Sequence, residues 1–169
     1  MDTYGFPKTA YSHLGEKPEL IRLDQEIPSL INQTREELAG ANQNPYLIFN
    51  NVGNWPVYFT AAAKQDAVYI EVWNPYERYS HIAQLIDEAR QLSGDQRPII
   101  LAAYLEPFRK DSRERAMNAA RILTAAIVSN GAYHLLQGEN QAVLTQGYYS
   151  DYTRLSEKDA AILRRCNDF

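Results

Sequence analysis

The most regular hydrophobic pattern in the sequence is an alternation of side-chain types over residues 66–76. Three successive even positions carry β-branched apolar residues, and the positions between them carry aromatic rings and one carboxyl group, Glu71. A period of two predicts a strand with two different faces, of which the apolar one packs under helices through Val68, Ile70 and Val72. Asn74-Pro75 ends the strand, because proline cannot donate to a sheet ladder and restricts the residue before it. Glu71 is therefore expected near the carboxyl end of a buried strand.

Strands and helices alternate along the rest of the chain. Short apolar runs predict three further strands, at residues 46–50, 98–104 and 133–136. Amphipathic spacing predicts four helices, capped or begun by Asp24, Tyr79, Asp111 and Ser156. Glycines are expected to stop the first three of these helices, at Gly40, Gly94 and Gly131. Residues 9–23, which include Gly15 and Pro18, are predicted to form a loop.

This order of elements predicts an α/β fold, because strands that alternate with helices form a parallel sheet with crossover connections. The sequence contains no G-x-G-x-x-G and no Walker motif, which disfavours a dinucleotide or NTP fold. Polar side chains gather instead where the predicted strands end. In a (β/α)-barrel that end carries the active site. The candidate site residues on this ground are Asn50, Glu71, Tyr104, His134 and Glu139.

The composition is that of an ordinary single globular domain. The 169 residues are 45% hydrophobic and 22% charged, and the net charge of -4 is spread along the chain. Nothing in this charge pattern favours a nucleic-acid groove or an anionic membrane surface as a partner. Cys166 is the only cysteine, so an internal disulfide is excluded. No apolar run approaches the length of a transmembrane helix, and the amino terminus does not have the pattern of a signal peptide.

Glu71 has two interpretations. A buried carboxylate costs free energy unless it is paired or protonated, so Glu71 is either a structural group bonded to nearby backbone or a general acid kept protonated by its surroundings. Trp73 suits a hydrophobic core and a sugar-stacking platform equally, although its position beside Glu71 favours the platform.

The three histidines could be imagined as a metal set with Glu139, but His13, His81 and His134 match no zinc-ligand spacing. We therefore expect no metal and no organic cofactor. His134 is interpreted either as a hydrogen-bond donor to a sugar hydroxyl or as a satisfied core histidine.

Residues 66–76, 102–104 and 134–139, in that order and spacing, resemble family 66 of the glycoside hydrolases, the dextranases and cycloisomaltooligosaccharide glucanotransferases. The resemblance implies a retaining mechanism, with an aspartate nucleophile after barrel strand four and a glutamate acid/base after strand six. Glu71-Val72-Trp73 matches the family's Glu-x-Trp, and Asp2-Thr3-Tyr4-Gly5 matches its Asp-x-x-Gly. Asp2 and Glu71 are therefore the expected catalytic pair. The expected substrate-binding residues, with an α-glucan as partner, are Asn50, Trp73, Tyr104, His134 and Glu139.

The family fold is a (β/α)8-barrel, and the resemblance places residues 1–169 in its second half, with about four parallel strands and their flanking helices. Such a half is expected to pair with the other half of the barrel or to self-associate, and the intact protein is expected outside the cell or at its surface. Two alternatives stay open. The chain is either the catalytic part of an α-glucan glycosidase or transglycosidase, or a non-catalytic fragment with at most weak sugar binding. Another barrel enzyme with a glutamate at a strand end is a third interpretation.

Overall fold

The computed structural model describes residues 5–41, 43–145, 153–166 and 168. The strands are β1 (Thr9–Ser12), β2 (Glu19–Arg22), β3 (Ile48–Val52), β4 (Ala67–Glu71), β5 (Ile99–Ala102) and β6 (Tyr133–His134). The helices are α1 (Leu23–Gly40), α2 (Val57–Thr60), α3 (Tyr79–Leu92), α4 (Pro107–Lys110), α5 (Arg113–Ser129) and α6 (Glu157–Cys166), with a 3-10 turn at Glu139–Gln141. Within these residues, no helix combines the length and apolar character needed to cross a membrane.

A four-stranded parallel sheet in the order β3-β4-β5-β6 forms the centre of the fold. In its register Glu71 lies beside Val52 on one neighbouring strand and beside Ala102 on the other. The predicted alternation, the parallel sheet and the flanking helices are confirmed. The arrangement is compatible with part of a barrel.

The helices pack against one face of this sheet. Val68 and Ile70 of β4 are fully buried there, against Leu85 and Ile86 of α3 and Ile127 of α5. Each such side chain stabilises the fold by about 1.5–3 kcal/mol when it leaves water. The prediction for the even positions of the central strand is confirmed at these two residues. Val72 lies beyond the strand end and is half-buried against the same core.

The opposite face of the sheet is much less covered. Register places Asn50 beside Tyr69, and Ile100 beside both Tyr69 and Tyr133, on this face. The first three side chains are half-buried and Tyr133 is 53% exposed. A sheet with helices on one face and a partly open second face is compatible with a segment of a barrel wall.

Two predicted segments were wrong. Residues 9–23 form the antiparallel hairpin β1–β2, with Thr9 beside Arg22, rather than a loop. Gly15 and Pro18 lie in its turn, and their turn propensity hid two strands of only four residues each. The first strand of the parallel sheet begins at Ile48 rather than Tyr46 and ends at Val52, two residues beyond its predicted end.

Both predicted aspartate caps were also wrong. Asp24 lies inside the first turn of α1, fully buried, where Arg22 pairs with it at 2.7 Å. The cap of α5 is Ser112, whose hydroxyl accepts from the Arg115 N–H, while Asp111 pairs with the Arg115 guanidinium at 3.0 Å. The predicted helix ends at Gly94 and Gly131 are confirmed by their positive φ angles of 66° and 80°.

Candidate active site

Glu71 is the last residue of β4, and its backbone is held from both sides. Its carbonyl oxygen accepts from the Gly53 N–H at 2.8 Å, and the next N–H, of Val72, donates to the Ala102 carbonyl at 2.9 Å. Gly53 has a φ of 60°, a conformation that favours glycine. The strand end therefore fixes the point from which the Glu71 side chain extends.

The Glu71 carboxyl is 8% exposed and has two hydrogen-bond donors from the neighbouring strands. The Tyr104 hydroxyl donates to its Oε1, and Asn50 Nδ2 donates to its Oε2 at 3.3 Å. Asn50 lies within β3, and Tyr104 lies two residues beyond β5. The structure thus brings together three of the residues that the sequence places at strand ends. Two donors satisfy and orient a carboxyl group that burial alone would destabilise.

Two aromatic rings form a wall beside this carboxyl. The ring centroids of Trp73 and Tyr104 lie 5.5 Å apart, with the planes tilted by 56°, which is a favourable aromatic pair geometry. Trp73 is half-buried, so part of its ring stays accessible. Such a wall can contact the C–H face of a sugar held at Glu71.

A buried polar network behind the site was not predicted from the sequence. Asn51 is fully buried, and its Nδ2 donates to the Tyr69 carbonyl at 2.8 Å while its Oδ1 accepts from the Thr60 hydroxyl at 2.6 Å. Gln65 donates to the Thr60 carbonyl at 2.7 Å and accepts from the Phe49 N–H at 3.1 Å. The network ties β3 to β4 two residues before Glu71. Its only sequence signal is a run of polar residues inside an apolar stretch.

The structure places His134 in the core and not beside Glu71. Its strand register pairs it with Leu101, on the helix-covered face, and it is 4% exposed. Nε2 donates to the Ala103 carbonyl at 3.0 Å, and in the neutral ring that burial favours Nδ1 accepts from the Thr124 hydroxyl at 2.7 Å. Burial lowers the pKa of His134, although the bond to Ala103 opposes the shift. Of its two interpretations, this geometry is that of the satisfied core histidine.

Glu139 is exposed in the 3-10 turn after β6, and the contacts of the described residues do not join it to Glu71. Asp2 lies outside the described residues, so its distance from Glu71 stays a prediction. Over residues 5–41, 43–145, 153–166 and 168, no group of three or more His, Cys, Asp or Glu side chains could hold a metal ion.

Comparison with curated proteins finds no match. Among solved structures, the chain is similar to a cycloisomaltooligosaccharide glucanotransferase of Paenibacillus sp., complexed with cycloisomaltoheptaose, at 21% identity and a TM-score of 0.48. The similarity covers 52% of this chain and 13% of the other. The family model described as "Glycosyl hydrolase family 66" matches residues 1–169. By this match over its whole length, the chain belongs to glycosyl hydrolase family 66.

Proposed function

We propose that this chain supplies the acid/base part of a retaining glycosidase or transglycosidase that acts on α-1,6-linked glucans. The observation that carries the proposal is the environment of the Glu71 carboxyl, which is nearly buried at a strand end. Tyr104 and Asn50 donate hydrogen bonds to it, and the Trp73 ring packs against Tyr104 beside it. Family membership supports glycoside chemistry in the intact protein.

Glu71 is the proposed general acid and base. In the first step Asp2 attacks the anomeric carbon, the bond to the leaving oxygen breaks, and Glu71 gives that oxygen its proton. In the second step Glu71 takes a proton from water, or from a sugar hydroxyl in transfer, and the new oxygen displaces Asp2 with the configuration retained. Tyr104 and Asn50 hold the carboxyl in position through both steps. This double displacement requires the two carboxyl groups ~5–5.5 Å apart.

The proposed setting of these residues is the second half of a (β/α)8-barrel. The parallel sheet with its helices on one face supports this, because the partly open face is where a barrel interior would lie. Asn50, Glu71 and Tyr104 gather at the carboxyl edge of the strands, which is the active-site end of a barrel.

The acid role is tested by Glu71→Gln in the intact protein, assayed on isomaltooligosaccharides and on α-isomaltosyl fluoride. The amide cannot protonate the leaving oxygen, so we expect turnover of the oligosaccharides to fall by about 10²–10⁴-fold. Fluoride leaves without protonation, so the initial burst of fluoride, one per protein molecule, should fall much less than oligosaccharide turnover. The control is Glu36→Gln, an exposed carboxyl of α1, which should leave both rates unchanged.

An equal loss in oligosaccharide turnover and in the rate of the fluoride burst would contradict the acid role of Glu71. The second candidate function is sugar binding without turnover, favoured by the open sheet face, whose side chains Tyr69, Ile100 and Tyr133 are only partly covered within the described residues. Under that function the wild-type protein binds isomaltooligosaccharides and releases neither sugar nor fluoride.

A further inference from the structure

His134 is a buried histidine that bonds the backbone just after β5. Its ring lies on the helix-covered face of the sheet, and its Nε2 donates to the Ala103 carbonyl at 3.0 Å. Ala103 is the first residue beyond β5, and the next residue is Tyr104, whose hydroxyl donates to Glu71. The histidine and the proposed acid/base are therefore connected through a single peptide group and one tyrosine side chain.

The His134 side chain supplies a donor beyond the point where the strand β6 ends. In the ladder between β5 and β6 the Leu135 N–H donates to the Leu101 carbonyl at 2.9 Å, and β6 itself ends at His134. The Ala103 carbonyl lies two residues further along, and there the imidazole provides the hydrogen bond. Because a buried carbonyl needs a donor, the ring keeps this peptide group in place.

The peptide group that His134 bonds is the one that leads into Tyr104. A peptide unit is planar, so fixing the Ala103 oxygen also fixes the plane that contains the Tyr104 Cα. On the other side of this unit, the Ala102 carbonyl accepts from the backbone that follows β4, at 2.9 Å. The tyrosine hydroxyl lies at the far end of a long, rigid side chain. A small tilt of the peptide plane therefore moves it by more than a hydrogen bond tolerates.

The imidazole is itself held in the required state by α5. The Thr124 hydroxyl lies 2.7 Å from Nδ1, and both side chains are nearly buried. When Nδ1 accepts this bond, the proton of the neutral ring is on Nε2, where it points at the Ala103 carbonyl. Thr124 thus determines which ring nitrogen donates.

We propose that His134 is a positioning residue for the acid/base, acting through Ala103 and Tyr104 from the helix-covered face of the sheet. This inference rests on the proposed function, because the direction of Tyr104 matters for turnover only where Glu71 transfers the proton. The role differs from sugar binding, since His134 is 4% exposed and acts without touching substrate. Loss of its donor lets the Tyr104 hydroxyl move away from Oε1, so the carboxyl is held less firmly towards the leaving oxygen.

The test compares two reactions of the intact protein in His134→Leu, which removes the donor and keeps an apolar side chain in its place. Oligosaccharide cleavage requires the acid, whereas fluoride leaves α-isomaltosyl fluoride without protonation in the first turnover. We expect isomaltooligosaccharide turnover per folded protein to fall by about tenfold to 100-fold, because a misplacement of about 1 Å can cost that much. The rate of first-turnover fluoride release should change little.

Two variants distinguish the lost donor from a disturbed core. His134→Gln has an amide that can donate to the Ala103 carbonyl, so it should recover most of the lost turnover. Thr124→Val keeps the ring and removes the bond to Nδ1, so it should give a smaller loss with the same contrast between the two reactions. The control is Ile31→Val, a change at a fully buried position of α1, which should lower stability without separating the two rates.

A double variant tests whether His134 acts through Tyr104. Adding His134→Leu to Tyr104→Phe should lower oligosaccharide turnover no further than Tyr104→Phe alone, because both changes remove the same support from Glu71. Full additivity of the two changes would overturn the inference. So would wild-type oligosaccharide turnover in His134→Leu, or a loss of first-turnover fluoride release as large as the loss of oligosaccharide turnover.

Urea unfolding of the 169-residue chain separates this inference from the proposed function, since it needs no activity. If His134 holds Tyr104 against Glu71, Tyr104→Phe should lower the free energy of unfolding less in the His134→Leu chain than in the wild type. Such coupling, in a protein that turns over neither substrate, would support the positioning of Tyr104 and overturn the proposed function. The same loss in both backgrounds would overturn the positioning.

Discussion

Removing the Asn51 side chain should weaken the hydrogen-bond network that connects β3 to β4 and positions Glu71. In Asn51→Ala the Tyr69 carbonyl loses the Asn51 amide donor, which costs about 0.5–1.5 kcal/mol for a typical hydrogen bond. The Thr60 hydroxyl loses its acceptor at 2.6 Å but keeps a weaker one, the Pro56 carbonyl at 3.4 Å, so this loss is about 0.5–1.5 kcal/mol. Together we expect about 1–3 kcal/mol of destabilisation.

Urea unfolding of the chain, followed by circular dichroism at one low concentration used for every variant, measures this change in the free energy of unfolding. Thr60→Val removes only the hydroxyl and leaves Asn51 Oδ1 without that donor, so it should cost about 1–3 kcal/mol. The double variant should cost less than the sum of the two single changes, because both remove the same bond. The matched control is Asn44→Ala, at an exposed asparagine, which should stay within about 0.5 kcal/mol of the wild type.

An Asn51→Ala chain whose free energy of unfolding equals that of the Asn44→Ala chain would refute this reasoning. Additivity of Asn51→Ala and Thr60→Val would also refute it, because independent residues do not share a bond.

Two further predictions concern pH and association. Because the folded state keeps His134 neutral with a lowered pKa, the stability it contributes is complete above about pH 6.5 and is lost as the pH falls from there towards the lowered pKa. His134→Gln should therefore show a shallower loss of unfolding free energy than the wild type between about pH 7.5 and pH 5.5 in urea titrations, and equal slopes would contradict this. The 169-residue chain should self-associate or aggregate, since β3 and β6 are the outer strands of the parallel sheet and Tyr133 is exposed on its open face. Sedimentation at several concentrations checks this, and a concentration-independent monomer would show it to be wrong.

The parallel sheet could be predicted because its patterns are local. A period of two places Val68 and Ile70 on one face of a strand. Helical spacing places Ile82, Leu85 and Ile86 on one face of a helix. The structure buries these two apolar faces against each other. A stretch that is apolar throughout does not show which of its side chains face the core. In the largely apolar later part of α5, Ile122 is 56% exposed.

The wrong predictions concern residues whose burial depends on specific contact partners. The local sequence pattern around these residues does not show those partners. Asp24 looked like a helix cap because a lone aspartate before an amphipathic run favours one, whereas its burial depends on the Arg22 ion pair and on the Tyr58 hydroxyl. Asn51 lay just outside the strand predicted at residues 46–50, because burial of its amide depends on Thr60 and the Tyr69 carbonyl.

The candidate site was predictable in proportion to how well strand register could be inferred. Glu71 ends β4 and Tyr104 lies two residues beyond the end of the adjacent strand β5, so their contact followed from the parallel sheet. His134 lies on a strand of two residues, too short for its sequence to show which face each side chain takes. Its register with Leu101 directs it to the helix-covered face.

The most direct measurement of the central claim is covalent trapping in the intact Glu71→Gln protein. With α-isomaltosyl fluoride the donor loses fluoride without an acid, and the acylal ester that forms persists because the base that would activate water is absent. Intact mass spectrometry should show the addition of one isomaltosyl unit, and peptide mapping should place it on Asp2. Absence of the adduct, with hydrolysis of the fluoride to the inverted anomer, or an adduct on any other residue, would contradict the account.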